Sequence, residues 1–131
     1  MNLNIPNACA ASTFVVALGM PMLAVGDPTS LLTTDLEGME GMEANVVLFE
    51  EEPGKVYERH IHPGHVFVYV LEGTIQADVE GQEPQRASAG EVIHERPDQP
   101  MVGRVIGDEG ARFLVFQIGP KGEDIMVFQP E

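Results

Sequence analysis

The sequence predicts an all-β domain with a sandwich or barrel architecture, and three features predict it. After Asp27 the chain consists of short apolar runs rich in β-branched residues. Gly and Pro, which number 14 and 10 among 131 residues, separate these runs as turn residues do. No stretch after residue 30 has the 3.6-residue apolar period of an amphipathic helix. Many short strands at close spacing indicate a β-sandwich or β-barrel, and the length suits one domain.

Seven runs are predicted as strands: NVVLF (45–49), VFVYVL (66–71), TIQADV (74–79), EVI (91–93), MVGRVI (101–106), ARFLVFQI (111–118) and DIMVFQ (124–129). The second run is apolar on both faces, which is typical of a strand inside a sheet, and its Tyr69 is predicted to pack against a second sheet. The third run alternates as a half-buried strand does. Glu80-Gly81 and Gly107-Asp108 are predicted as hairpin turns.

The charge and the cysteine content exclude several classes of function. The formal net charge is −14, so the acidic surface repels nucleic-acid phosphates and anionic membranes. Cys9 is the only cysteine, which excludes an intrachain disulfide and a cysteine-based zinc site. The acidic run from Glu50 to Glu52 is predicted to be solvated.

Residues 1–26 contain no charged side chain, and the run from Ala8 to Val25 is almost wholly apolar or small. With Ala24-Val25-Gly26 as a small-x-small site, this segment resembles a signal peptide cleaved after Gly26, which predicts a periplasmic or secreted protein. The missing Lys or Arg at the start leaves two alternatives. One is an N-terminal strand packed on the barrel or on a partner chain, in a cytoplasmic protein; the other is a membrane anchor. Residues 27–131 form the predicted β-barrel domain.

The strongest chemical signal is a pair of histidines, His60 and His62. Residues i and i+2 of a strand point to the same face, so both imidazoles would enter one cavity. Neutral imidazole is a common ligand for Zn, Cu, Fe and Ni. The spacing therefore predicts a shared metal site, although such a pair also occurs on plain protein surfaces.

The segment GKVYERHIHPGHVFVYVLEG (54–73) resembles the first motif of the cupin family, G-x5-H-x-H-x3–4-E-x6-G. Gly54, His60, His62 and Gly73 fall at the motif spacings. The segment AGEVIHERPDQPM (89–101) is similar to the second motif, G-x5-P-x-G-x2-H-x3-N. The resemblance covers about residues 30–120.

The resemblance implies a small double-stranded β-helix, a jelly-roll-like barrel that is commonly a homodimer. It also implies one divalent metal at the barrel mouth, usually held by three His and one Glu. The sequence departs from that set. Val66 stands at the glutamate position and Met101 at the histidine position of the second motif. The expected Pro, Gly and Asn of that motif fall on Arg96, Asp98 and Val105.

Three arrangements of the site remain open. Met101 is a third, soft ligand that favours copper, or it only packs in the core. Alternatively His65, His94 or Glu95 supplies the missing donor; strand parity turns His65 away, and only one of His94 and Glu95 can face inward. In the third arrangement the metal is lost and an apolar pocket near Val66 remains. The predicted cofactor is one ion of Cu, Zn, Ni, Fe or Mn, or none.

These features predict a binding or sensor module that takes a small-molecule ligand, a metal or both through His60 and His62. The alternative is a metal-dependent enzyme, a dioxygenase, isomerase or lyase acting on a small organic acid or phenol, with His94 or Glu95 as its base. A purely structural, dimerising role is the third hypothesis.

Overall fold

A computed structural model describes residues 25–130, which form ten β-strands and no helix. The strands are β1 Thr29–Asp35, β2 Met42–Glu51, β3 Val56–Ile61, β4 His65–Glu72, β5 Thr74–Val79, β6 Gln85–Ser88, β7 Val92–Glu95, β8 Met101–Val105, β9 Ala111–Pro120 and β10 Val127–Phe128.

The strands form two antiparallel five-stranded sheets. The first sheet has the order β1-β2-β9-β4-β7, and the second has the order β10-β3-β8-β5-β6. The chain changes sheet at every connection except β1–β2 and β5–β6, so its course winds around a common interior. This arrangement confirms the all-β prediction.

The core lies between the sheets and is made of small β-branched side chains. Val66, Val68 and Val70 of β4 face inward and are almost fully buried, because alternate residues of a strand share a face. They pack with Phe113 of β9 and Ile75 of β5, so the core joins both sheets. Burial of each such side chain stabilises the fold by about 1.5–3 kcal/mol.

Most strands coincide with the apolar runs, and the exceptions are short or polar. Six of the seven predicted runs lie mainly within β2, β4, β5, β7, β8 and β9, whereas only two residues of the run 124–129 are paired in β10. The seven runs do not include β1, β3 or β6, although the histidine pair was placed on a strand that coincides with the end of β3. All of β1 is exposed at the sheet edge, and β6 is a four-residue strand, QRAS, with a single buried side chain.

The two predicted hairpin turns have different outcomes. Glu80 and Gly81 lie in the turn between β5 and β6, which pair as a hairpin, so this prediction is confirmed. The prediction for Gly107 and Asp108 is wrong, because they connect β8 of the second sheet to β9 of the first. The left-handed φ of +89° at Gly107 marks a tight turn, but a tight turn also serves a crossover between sheets.

The predicted orientation of Tyr69 is also wrong. Tyr69 is 44% exposed and faces away from the second sheet, since Val68 and Val70 take the inward positions. Both faces of β4 are apolar, so its pattern alone does not show which face is buried.

The N-terminal segment for which a signal peptide, a strand or an anchor is predicted lies outside the described residues up to position 24. Within residues 25–130, no helix has the length and apolar character needed to cross a membrane.

Candidate metal and ligand site

A cavity of about 90 Å³ lies inside the barrel. This volume is well above the roughly 10–15 Å³ that one water molecule needs. Its polar lining includes His60, His62 and Glu95, while Val68 and Phe113 are among its apolar walls. A few convergent polar groups in a mainly apolar pocket are typical of sites for small molecules.

Strand β3 and the residue that follows it bring the two histidines to this cavity. His60 lies in β3, opposite Met101 of β8 and Phe128 of β10, and His62 follows directly after the strand. The two side chains are only 2% and 3% exposed. Their ring centroids are 4.9 Å apart. The expectation that both rings enter one cavity from the same strand face therefore agrees with their placement.

Backbone carbonyls determine which ring nitrogen of each histidine is free. Nδ1 of His60 lies 2.6 Å from the carbonyl oxygen of Glu58, and Nδ1 of His62 lies 2.6 Å from that of Ile125. A carbonyl can only accept, so each Nδ1 donates and each neutral ring keeps its lone pair on Nε2. Burial lowers the pKa of His60, which favours this neutral form. Both rings are thus in the tautomer that binds a metal through Nε2.

Glu95 is the buried carboxylate of the site. It ends β7, where alternation with His94 turns it inward, and it is 8% exposed. Its Oε2 atom lies 3.1 Å from Nε2 of His62. Nε2 of His62 nevertheless has no hydrogen-bond partner among residues 25–130. A buried lone pair that faces a carboxylate is costly unless a proton or a cation lies there.

The register places Glu95 beside the position where the family usually has its glutamate. Val66 occupies that position on β4, and Glu95 of β7 is its direct cross-strand partner. Directly opposed residues have Cβ atoms about 4.5–5.5 Å apart, on the same face of the sheet. A carboxylate is therefore present at this end of the cavity, one strand away from the expected residue.

Met101 is buried next to His60 but is not among the side chains that line the cavity. It is 1% exposed and pairs with His60 in the register of β3 and β8. This position suits core packing, and a role as a soft metal ligand stays a prediction.

His65 and His94 lie on the outer face of the first sheet, away from the cavity. Nδ1 of His65 and Nε2 of His94 are 3.0 Å apart. The ring of His94 also stacks on Phe67 at a centroid distance of 4.5 Å. Strand parity turns both histidines outward, and the inward position that His94 could have taken belongs to Glu95.

The turn that follows His62 packs closely against β9 at Gly64. A Cβ atom at Gly64 would lie 2.3 Å from the carbonyl oxygen of Ile118, so no side chain fits there. The backbone N–H of Asp98 donates to the carbonyl of His62 at 2.9 Å. The Pro-Gly pair after the histidines was the sequence signal for this turn.

A second polar pair, which the sequence analysis missed, lies at Tyr57 in the cavity wall. The Tyr57 hydroxyl donates to the carboxylate of Glu51, which is 7% exposed. Burial and this carboxylate raise the pKa of Tyr57 far above its ordinary value. The prediction of a solvated acidic run is thus wrong for Glu51, because alternation along β2 turns it inward.

The donor chemistry of the cavity fits a divalent transition metal. Among residues 25–130, no three His, Cys, Asp or Glu side chains are arranged as a metal site. Two buried imidazoles with free Nε2 atoms and one buried carboxylate are nevertheless donors that such metals accept. Water or an organic ligand would complete the coordination.

Comparison with known proteins identifies the family. Residues 47–117 match the family model described as Cupin domain. The chain belongs to the cupin family. A relative from Streptomyces cyaneus, "Polyketide synthase CurC", is 35% identical over an alignment of 97 residues, and the match covers 72% of this chain. The chain spans 60% of the length of that relative.

Solved structures confirm the double-stranded β-helix of this cupin. An uncharacterised protein with a double-stranded β-helix domain from Klebsiella pneumoniae has a TM-score of 0.61 at 20% identity, over 82% of this chain and 89% of its own. The DMSP lyase DddQ from Ruegeria pomeroyi has a TM-score of 0.59 at 24% identity, over 79% of this chain and 51% of its own. At these identities the likeness concerns the fold alone.

Proposed function

We propose that this cupin binds a transition metal through Nε2 of His60 and Nε2 of His62, with Glu95 as the third ligand, and that a small organic molecule binds next to the metal in the cavity. The observation that carries the proposal is the buried Nε2 of His62, which lacks a hydrogen-bond partner among the described residues and lies 3.1 Å from the Glu95 carboxylate. A cation at this place would stabilise both groups.

A carboxylate on β7 in place of the usual one on β4 explains how the site can tolerate Val66. Positions 66 and 95 are directly opposed on β4 and β7, so a glutamate at either position would project into the same end of the cavity. Glu95 therefore supplies the negative charge that neutralises the metal, while Val66 keeps the wall apolar.

Two nitrogens and one oxygen favour Fe, Zn, Ni or Mn over Cu(I), which prefers thioether and thiolate sulfur. When bound, the metal supplies Lewis acidity and open coordination positions. The chain's own residues hold the Nε2 lone pairs in place through the carbonyls of Glu58 and Ile125 and exclude bulk water with apolar walls.

The expected ligand is small and has an apolar body with one anionic or hydroxyl end. The apolar walls suit the body of the ligand, and the metal takes the polar end. Without the metal, the Glu95 carboxylate repels an anionic ligand. Binding of such a ligand should therefore depend on metal loading.

The experiment is metal analysis by mass spectrometry after expression in metal-replete medium. His60→Ala/His62→Ala should remove a near-stoichiometric transition metal. The matched control is His65→Ala/His94→Ala, which removes two outward histidines and should leave the metal content unchanged. Equal metal in the wild type and in the His60/His62 variant, or an empty wild-type protein, would contradict the proposal.

The buried carboxylate beside His62 favours a second candidate, a metal-dependent lyase, isomerase or dioxygenase for a small phenolic or organic acid substrate. Glu95 beside His62 could transfer a proton at the cavity wall. Incubation of the metal-loaded protein with small phenols and β-keto acids, followed by mass spectrometry, separates the two candidates. A product indicates the enzyme, whereas binding without conversion indicates the binding module.

A further inference from the structure

The segment after β9 closes one side of the cavity. The chain turns at Gly122, crosses from the first sheet to the second, and reaches the sheet edge next to β3, where it forms β10. Ile125 and Met126 lie on this crossing and line the cavity together with the two buried histidines. Ile125 also packs against the hydrophobic core. Residues 123–129, here named the C-terminal strap, are thus part of the wall around the metal ligands.

The C-terminal strap orients one of the two buried histidines and not the other. Nδ1 of His60 donates to the carbonyl of Glu58, two residues away in the same strand. Nδ1 of His62 donates to the carbonyl of Ile125, which is 63 residues away and belongs to the strap. The orientation of His60 is therefore local, whereas that of His62 requires the strap to be in place.

The tip of the strap is held weakly. Strand β10 consists of two residues that pair with β3 at the edge of the sheet. Its side chains, Val127 and Phe128, are exposed, although the Phe128 ring lies 6.2 Å from the His60 ring between centroids. The backbone N–H of Gln129 donates to the Arg59 carbonyl at 2.9 Å. A short, exposed edge strand of this kind opens at a small fraction of the free energy of global unfolding.

Side chains of the first sheet hold the base of the strap. Nζ of Lys121 lies 2.7 Å from the Asp35 carboxylate. The backbone N–H of Gly122 donates to Oε1 of Glu43 at 3.3 Å. Gly122 has a left-handed φ of +76°, so the chain changes direction there. An opening at the tip therefore withdraws the Ile125 carbonyl while the base stays attached.

We propose that the C-terminal strap is a latch for the metal site, so that closure of the strap and metal binding at Nε2 of His62 stabilise each other. The inference rests on the proposed function. Coordination at Nε2 withdraws electron density from the ring and makes Nδ1–H a better donor to the Ile125 carbonyl. The closed strap in turn fixes the tautomer whose lone pair is on Nε2. Such coupling is reciprocal, so each event favours the other by the same factor.

The first test uses metal-free protein, so its outcome does not depend on the proposed function. The ¹⁵N chemical shifts of the ring nitrogens report the tautomer of each histidine, and both buried histidines should carry the proton on Nδ1 in the wild type. Gln129→Pro removes the N–H at the tip, so His62 should become a mixture of tautomers while His60 stays unchanged. Gln129→Ala keeps that N–H and is the matched control. A His62 signal that is the same in all three proteins would overturn the proposal.

The second test measures the coupling in both directions. In the wild type, saturation with Zn²⁺ should slow hydrogen exchange of the strap amides about 10-fold, while amides of β6, at the opposite edge of the same sheet, should change little. Zn²⁺ affinity, measured by competition with a chelator, should fall about 10-fold in Gln129→Pro and stay unchanged in Gln129→Ala. Because the coupling is reciprocal, the loss of affinity cannot exceed the factor by which exchange slows.

The outcomes separate the latch from the site that it serves. Strap amides that do not respond to Zn²⁺, in a protein that binds Zn²⁺ at the buried histidines, would overturn the latch and leave the proposed function intact. A wild-type protein that takes up no metal contradicts the proposed function and the coupling with it. A Gln129→Pro variant that only melts earlier, with an unchanged His62 tautomer and Zn²⁺ affinity, would show a purely structural strap and overturn the proposal.

Discussion

The molecule has two histidine pairs that are alike in ring spacing and opposite in environment. The ring centroids of His60 and His62 are 4.9 Å apart, and those of His65 and His94 are 5.2 Å apart. The inner pair is buried and donates both Nδ1 hydrogens to backbone carbonyls, whereas the outer pair is exposed and forms its hydrogen bond internally. Only the inner pair has its Nε2 lone pairs in a mainly apolar cavity beside a carboxylate. Residue type and spacing alone therefore do not make a site.

The largest effect on the inner pair is expected from the turn behind it. Gly64→Ala places a Cβ atom 2.3 Å from the Ile118 carbonyl oxygen, so the backbone must shift. We expect a loss of about 3 kcal/mol or more in unfolding free energy, measured in urea. Gly26→Ala is the control, since a Cβ atom there has no atom within 4 Å. Equal stabilities of the two variants would show that the close approach is unimportant.

The next largest effect is expected from the Glu95 carboxylate, which lies beside the inner histidine pair and not beside the outer one. Glu95→Gln keeps the shape of the side chain and removes its charge. Metal affinity, measured by competition with a chromophoric chelator, should fall about 10- to 100-fold. Glu83→Gln, on an exposed turn, should leave the affinity unchanged. An unaffected Glu95→Gln variant would remove Glu95 from the ligand set and leave the imidazoles alone.

The two tyrosines differ in the same way as the two histidine pairs, since Tyr57 lines the cavity and Tyr69 lies on the outer face of the first sheet. Tyr57→Phe removes the donor to the buried Glu51 carboxylate and should cost about 1–2 kcal/mol of unfolding free energy. Tyr69→Phe, on the outer face, should change it by less than about 0.5 kcal/mol. If thermal melts rank the two variants in the opposite order, the assignment of the Tyr57–Glu51 contact is wrong.

The smallest effect is expected on the unfolding free energy when the pH is lowered. Burial lowers the pKa of His60 in the folded state, while the unfolded chain takes up this proton near pH 6.5. The unfolded state thus binds more protons, so the unfolding free energy of the metal-free protein should fall as the pH decreases through about 6.5. His60→Gln, compared by urea titration at pH 7.5 and 5.5 in the presence of chelator, should show a smaller decrease. An unchanged pH dependence would assign the loss to other groups.

The local sequence pattern was sufficient to predict most strands of the barrel and the convergence of the inner histidines. The two-residue spacing of His60 and His62 requires a common face once β3 is a strand, so their convergence was predictable. The alternation of TIQADV was likewise sufficient to predict β5 with its observed bounds. In contrast, β4 is apolar on both faces, and its pattern could not show that Tyr69 would face solvent.

The sequence alone was thus sufficient to predict an all-β barrel, the histidine pair and the loss of two usual metal ligands. The alternation of apolar residues along a strand and the spacing of a motif are local properties, so they can be read without the tertiary structure. Pairing between strands distant in sequence decided the rest. It placed Glu95 opposite Val66 and His94 opposite Phe67. Strand register and sheet order arise from contacts across the whole chain, so the position of the carboxylate became visible only once the sheets were assembled.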